Sequence, residues 1–207
     1  ILTHIRYSEK VFIMKRLLLI IILTLCFQSW AKADDVSDYT VENFTVGDSL
    51  LNFYSYKEIK EKINSTSTFW YPDNIYASIL VKSKKFKVYE EVGIVINTKE
   101  DKFIILSIEG TFNFQSNIDE CYKKQRIITA DLKNDFSSNT KFNTYKIKYK
   151  FDKSGKSTAN YDDFIFADGS AIRVICYDMD EDFIDPNDQL YLAINSKKFM
   201  NYLTNMK

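Results

Sequence analysis

Histidine occurs once in the 207 residues, at His4, ahead of the segment in which a folded domain would begin. The folded part therefore has no Ser-His or Cys-His pair and no imidazole ligand for a metal. Any catalysis is left to carboxylates, lysine or tyrosine. Glycine is also scarce, at five residues, and one of them sits in the string Gly155-Lys156-Ser157. A phosphate-binding loop needs a further glycine at position 150, between a strand and a helix. That residue is Lys150, and alternating aromatics (Tyr145, Tyr149, Phe151, then Tyr161, Phe164, Phe166) place strands on both sides. The string reads as a hairpin turn, with Asp152, Ser154 and Gly155 as its turn residues. Long apolar runs are missing too. The most apolar stretch, 17–27, has eleven residues, where a helix crossing a membrane needs about twenty, so no stable transmembrane anchor is expected.

That stretch follows Lys15 and Arg16 and precedes Ala31, Lys32 and Ala33. This charged, apolar, small-residue order is that of a secretory signal peptide. Residues 1–13 are read as an extension ahead of a start at Met14, 14–33 as the peptide removed, and 34–207 as a single exported domain, periplasmic or secreted. Cys26 follows Leu25, which is too large for a lipoprotein signal. Removing 1–33 leaves 23 basic against 27 acidic residues, a mild negative balance that gives no reason to seek nucleic acid or anionic membrane. Lysine outnumbers arginine 24 to 4, which reads as the codon bias of an AT-rich genome. With 45% hydrophobic and 15% aromatic residues the domain has ample material for a core. Two cysteines remain, Cys121 and Cys176, an even pair in an oxidising setting, and a disulfide between them is the simplest reading.

Along the domain, Tyr39, Val41, Phe44 and Val46 suggest a short strand. Asp48 or Ser49 caps a helical turn carrying Leu50 and Leu51, and Ser55 with Glu58 forms a capping box for a helix presenting Ile59 and Ile63. Two helical pieces joined this way resemble a DNA reader in shape, but such readers work inside the cell, and an exported, mildly acidic protein is not expected to take that role. The stretch 64–74 is a loop by composition. From 75 to 114 the chain reads as a meander. Asn117 and Glu120 then open a helix whose apolar stripe is Ile118, Cys121, Ile128, Leu132 and Phe136. A second meander follows, with Asp168-Gly169 as a two-residue hairpin signal and with Ile172, Val174 and Cys176 on one face of a strand. A short helix from Ser196, with Phe199, Met200 and Leu203 inward, closes the chain. The fold class expected is α+β, with helical segments packed on an antiparallel meander sheet. Two similar α-then-β halves, 34–115 and 116–207, are suggested by the order of elements.

The strings 41–59, 89–114 and 120–136 resemble a family of small exported proteins of unknown function from AT-rich marine bacteria, over nearly all of the domain. The resemblance implies an exported α+β protein and no assigned activity. In shape the chain is also similar to the outer-membrane assembly lipoprotein BamE and to the β-lactamase inhibitory protein, which set helical pairs before meanders. The matching positions are Gly47 and Ser49 at a helix start, with Ile59 further along.

Three clusters could carry chemistry. Asp162 and Asp163 are adjacent on a strand and so point to opposite faces; they are read as part of a solvated strand and not as a facing catalytic pair. Asp178, Asp180 and Asp182 alternate as in a calcium loop, but Phe183 stands where glycine is needed and Gln189 where the twelfth-position Glu belongs. A weak, irregular calcium site in 178–188 stays open. Trp70 and Tyr71, after Phe69, are candidate partner-binding residues, because such aromatics dominate interface hot spots; the alternative is a lid on the core. No catalytic, cofactor or metal residue is assigned. The expectation is a non-enzymatic binding or interaction module for an unknown protein or envelope component. The alternative is a carboxylate-dependent cell-envelope hydrolase, which two carboxylates facing each other in a cleft would favour. A convex surface bearing solvated acids would favour the module.

Overall fold

The structure is a computed structural model that describes residues 35–206 apart from 90, 137, 138, 151 and 184–186. The expected signal peptide, Phe151 and Asp185 lie outside the described residues. After a 3-10 turn at Val36–Asp38 come β1 (Thr40–Val41) and β2 (Phe44–Thr45), which pair with each other. The single strand expected here is therefore a small hairpin, because Glu42 and Asn43 both take positive φ, of 50° and 74°. Such a pair of left-handed residues reverses the chain in two positions. A 3-10 turn (Leu50–Asn52) capped by Ser49 leads to α1 (Tyr56–Ile63). Its expected capping box is present, with Ser55 and Glu58 each satisfying the other's backbone N–H.

The main sheet is antiparallel and eight-stranded. Its first meander is β3 (Phe69–Trp70), β4 (Tyr76–Lys82), β5 (Glu91–Asn97) and β6 (Ile105–Asn113). The second, after α2 (Ile118–Asp135), is β7 (Lys141–Lys148), β8 (Thr158–Ile165), β9 (Ala171–Asp178) and β10 (Gln189–Asn195). The order β3-β4-β5-β6-β10-β9-β8-β7 joins the meanders through their last strands, with Leu192 opposite Gly110. Helix α3 (Lys197–Asn205) ends the chain. The architecture is thus mixed and more β-rich than the sequence suggests. The polar stretch 64–74 even contributes an edge strand, with Phe69 opposite Ser78 and Trp70 opposite Ala77.

Period-two alternation divides the sheet into two unlike faces. On one, Ile79, Ile94, Ile108, Leu190, Val174 and Cys176 pack in a single core with Leu50, Ile59, Cys121 and Leu132 from the helical segments. Cys121 and Cys176 have their sulfurs 2.04 Å and their Cα atoms 6.0 Å apart, which fastens α2 to β9. The expected apolar residues of α2 and its C-cap, Ile118, Cys121, Ile128, Leu132 and Phe136, lie in or against this core, and two polar residues join them on the buried side. Within the helix the buried residues are Cys121, Gln125, Thr129 and Leu132, and the two polar ones bond to groups of the sheet. Gln125 Nε2 donates to the carbonyls of Asn160 and Val174 at 3.0 and 2.9 Å, and Thr129 Oγ1 donates to Asp162 at 2.7 Å.

The two hairpins of the second meander show where local chemistry decides. Gly155, at φ +71°, closes the β7–β8 turn. Asp152 accepts from the N–H groups of Ser154 and Ser157, both at 2.8 Å. The β8–β9 turn has three residues instead of the expected two: Gly169 N donates to Phe166 O at 3.0 Å and Phe166 N to Ser170 O at 2.9 Å. Gly169 takes φ +93°, the left-handed residue that a three-residue hairpin requires.

Candidate ligand cavity on the open face of the sheet

Among the described residues the second face carries no long helix and only α3 lies on it, with Phe199 buried and Tyr202, Leu203 and Met206 packed with Tyr71, Val95 and Leu106. Tyr202 and Met206 replace the expected Met200 on the inward side. Beside α3 the face opens into a cavity of about 700 Å3 that spans the central strands from β4 to β9. This size falls within the range of small-molecule sites.

Glu109 stands near the middle of β6 and lines the cavity. The residues opposite it on the neighbouring strands are Gly93 and Ala193, so it is flanked by the two smallest side-chain types. The vacancy at Gly93 is used: a Cβ there would lie 3.0 Å from Ser78 Oγ and 3.1 Å from Glu109 Oε2. Burial pushes the Glu109 carboxyl up to about 7, against the opposing pull of a long hydrogen bond from Ser78 Oγ, at 3.5 Å. Diagonal to Glu109 on the same face are Glu91 of β5 and Tyr191 of β10. Such neighbours lie roughly 7–8 Å apart and are still within reach of long side chains.

Two ion pairs flank Glu109 on this face. Lys82 binds Glu91, and Arg173 binds Asp163 through Nε and a terminal nitrogen, each at 3.0 Å. Tyr145 completes that group, donating to Asp163 at 2.7 Å and accepting from Arg173 at 2.7 Å. Burial alone would lower the Arg173 guanidinium, but the hydrogen bonds and charge of Asp163 raise it above the ordinary value. Arg173 also lies over the ring of Tyr161, 4.8 Å from its centroid, and Tyr161 stacks on Tyr145.

Asp162 and Asp163 do point to opposite faces, as expected from adjacency. They are not solvated, however: both are buried, one by Thr129 of α2 and the other by Arg173 and Tyr145. Three carboxylates of the acidic loop bind lysines, and Asp188 accepts from Met179 N at 3.0 Å. Asp180 and Asp182 bind Lys156 at 3.3 and 3.1 Å, and Asp178 binds Lys146 at 3.4 Å. No cluster of three metal-ligating side chains occurs among the described residues. Lys156 of the Gly-Lys-Ser string is thus a partner of carboxylates on the neighbouring loop.

Trp70 and Tyr71 both line the cavity, Trp70 at 38% exposure and Tyr71 buried. Tyr71 meets Phe199 edge-on at 5.3 Å and Tyr202 at 5.8 Å, so it is both core and wall. On the opposite side stand Tyr177 and Tyr191, edge to face at 5.1 Å. Neither Glu109 nor Arg173 stands out in the sequence as a site residue. Their signal is parity: Ser107, Glu109 and Thr111 alternate with apolar positions in 105–113 and so share one face. Comparison with protein-family models, curated proteins and solved structures finds no match to this chain.

Proposed function

We propose that this protein is an exported, non-enzymatic binding module that holds its ligand in the cavity on the open face of the sheet. The observation that carries the reading is the cavity itself. An eight-stranded sheet is covered by helices on one side and leaves about 700 Å3 open on the other, walled by Trp70, Tyr71, Tyr177 and Tyr191. Aromatic walls with few polar groups are the usual make-up of a ligand site. The disulfide between α2 and β9 and the signal-like order of 14–33 support a periplasmic or secreted location.

The test is a thermal-shift screen of small molecules on the wild type and on Thr111→Trp, which places a large ring over the cavity. A ligand that binds the native state raises the unfolding temperature by mass action. Stabilisation of the wild type that Thr111→Trp abolishes is expected; stabilisation left intact by that substitution overturns the reading.

One observation favours a second reading, a carboxylate-dependent hydrolase. Glu91 and Glu109 are diagonal neighbours on the cavity face in unlike surroundings, one paired with Lys82 and one pushed up by burial. Groups separated in this way can divide the roles of acid and base. Turnover of a glycoside or ester by the wild type, lost in Glu109→Gln, would replace the binding reading with this one.

A further inference from the structure

Glu109 is the one carboxylate on the cavity floor without an ion pair among the described residues. The sheet brings it there at a cost, because a carboxylate lifted out of water is disfavoured unless a partner compensates. Lys82 is engaged by Glu91 and Arg173 by Asp163, so the paired groups on this face cancel. Lys150 is also among the lining residues, and what the floor itself presents is one negative charge, set between Gly93 and Ala193 and approached past aromatic rings. Tyrosine and tryptophan rings attract cations through their faces. Size, charge and lining agree on one occupant.

We propose that the cavity takes a small organic cation, an ammonium on an apolar body, with the Glu109 carboxylate as counter-charge and Trp70, Tyr177 and Tyr191 as walls. Gly93 is a positioning residue in this scheme, since the space of its missing side chain is where the carboxylate lies. The inference rests on the binding reading above and goes beyond it by naming the ligand class.

The experiment is a chemical-shift titration of isotope-labelled protein with three probes of one shape, phenethylamine, 2-phenylethanol and phenylacetate, at pH 8. Phenethylamine is expected to bind roughly 10-fold to 100-fold more tightly than the alcohol, the span of a charge-assisted hydrogen bond. Phenylacetate is expected to bind most weakly, and the shifts should centre on Glu109, Tyr177 and Tyr191. Glu109→Gln keeps the side-chain volume and removes the charge, so its fold is not at risk. In that variant the preference for the amine should vanish while the alcohol's affinity changes by less than about twofold. Equal affinities for amine and alcohol in the wild type, or a preference that survives Glu109→Gln, overturn the inference and leave the binding reading standing. A lysine side chain in a short peptide binding as tightly as the amine would assign the site to proteins and overturn the small-molecule assignment. If none of the three probes shifts the open face, the cavity reading falls with the inference.

Discussion

On the helix-covered face of the sheet, Gln125 and Thr129 reach down to saturate Asn160, Val174 and Asp162. On the open face, Glu109 keeps a half-covered carboxylate with one long contact to Ser78. Both faces belong to the same strands and were built by the same alternation, so strand propensity does not explain the difference. The covered face is the stabilising one: it holds the larger core and the disulfide. The open face leaves a charged group short of partners, the kind of local cost that marks sites of binding or chemistry. Substitutions on the covered face should therefore weaken the fold, and the right substitution on the open face should strengthen it.

The largest effect is expected from Cys121→Ala combined with Cys176→Ala. A cross-link over a separation of 55 residues contributes about 4 kcal/mol in the chain-entropy treatment. Urea denaturation of the variant should lose most of that, and a loss below about 1 kcal/mol would show that the covered face does not depend on its staple. Next, Gln125→Ala leaves the carbonyls of Asn160 and Val174 without their donor and should cost about 2–3 kcal/mol by the same measurement. A neutral outcome would mean that water replaces the amide.

Glu109→Gln should act in the opposite direction and only in part of the pH range. Burial raises the folded-state pKa to about 7 from the ordinary 4.5, so the folded protein binds this proton more tightly than the unfolded chain does. Below both values the carboxyl is neutral in both states and the substitution should change nothing. Between them the wild type loses stability as pH rises, and above about 7 the full cost of the half-covered charge is present. The gain from glutamine should then be about 1–3 kcal/mol at pH 8, fading to nothing near pH 4. A gain that is flat with pH would remove the carboxylate from the explanation. Lys156→Ala is expected to do least. Its ion pairs with Asp180 and Asp182 are solvent-exposed, and such pairs contribute little, so the unfolding midpoint should move by less than about 2 °C. A larger fall would show that the acidic loop relies on this lysine.

Much of the covered half was legible because its signals are local. Ser55 with Glu58, Asn117 and Ser196 each name a helix start by capping chemistry, and two cysteines on apolar faces named their own partner. What escaped reading depends on context. Gln125 and Thr129 sit in helical register with Cys121 and Leu132, but polarity alone put them on the outside; only the acceptors that the sheet presents to them, two carbonyls and the Asp162 carboxylate, explain their burial. The strand at Phe69–Trp70 is two residues long and carries no period. The open face was the least legible. Parity tells which residues share a side of a strand, but whether a helix covers that side depends on the lengths of distant connections. Trp70 and Tyr71 were marked as candidates by residue type, whereas Glu109 becomes a candidate only once Gly93 and Ala193 are seen beside it.

The seam between β6 and β10 also governs the order in which the molecule can be assembled. Partners across it lie between 76 and 88 residues apart, as with Gln189 and Asn113 or Asn195 and Ser107. When the chain emerges from the ribosome, the first meander can close early, but β6 waits as a bare edge while α2 and three further strands are made. β10 then enters between β6 and β9 and saturates both in one step. Pairings this distant in sequence form slowly, and exposed edges recruit other chains. A stalled or truncated chain that stops short of residue 189 therefore carries two open edges in the middle of its sheet. Residues 189–195 close both of those edges at once.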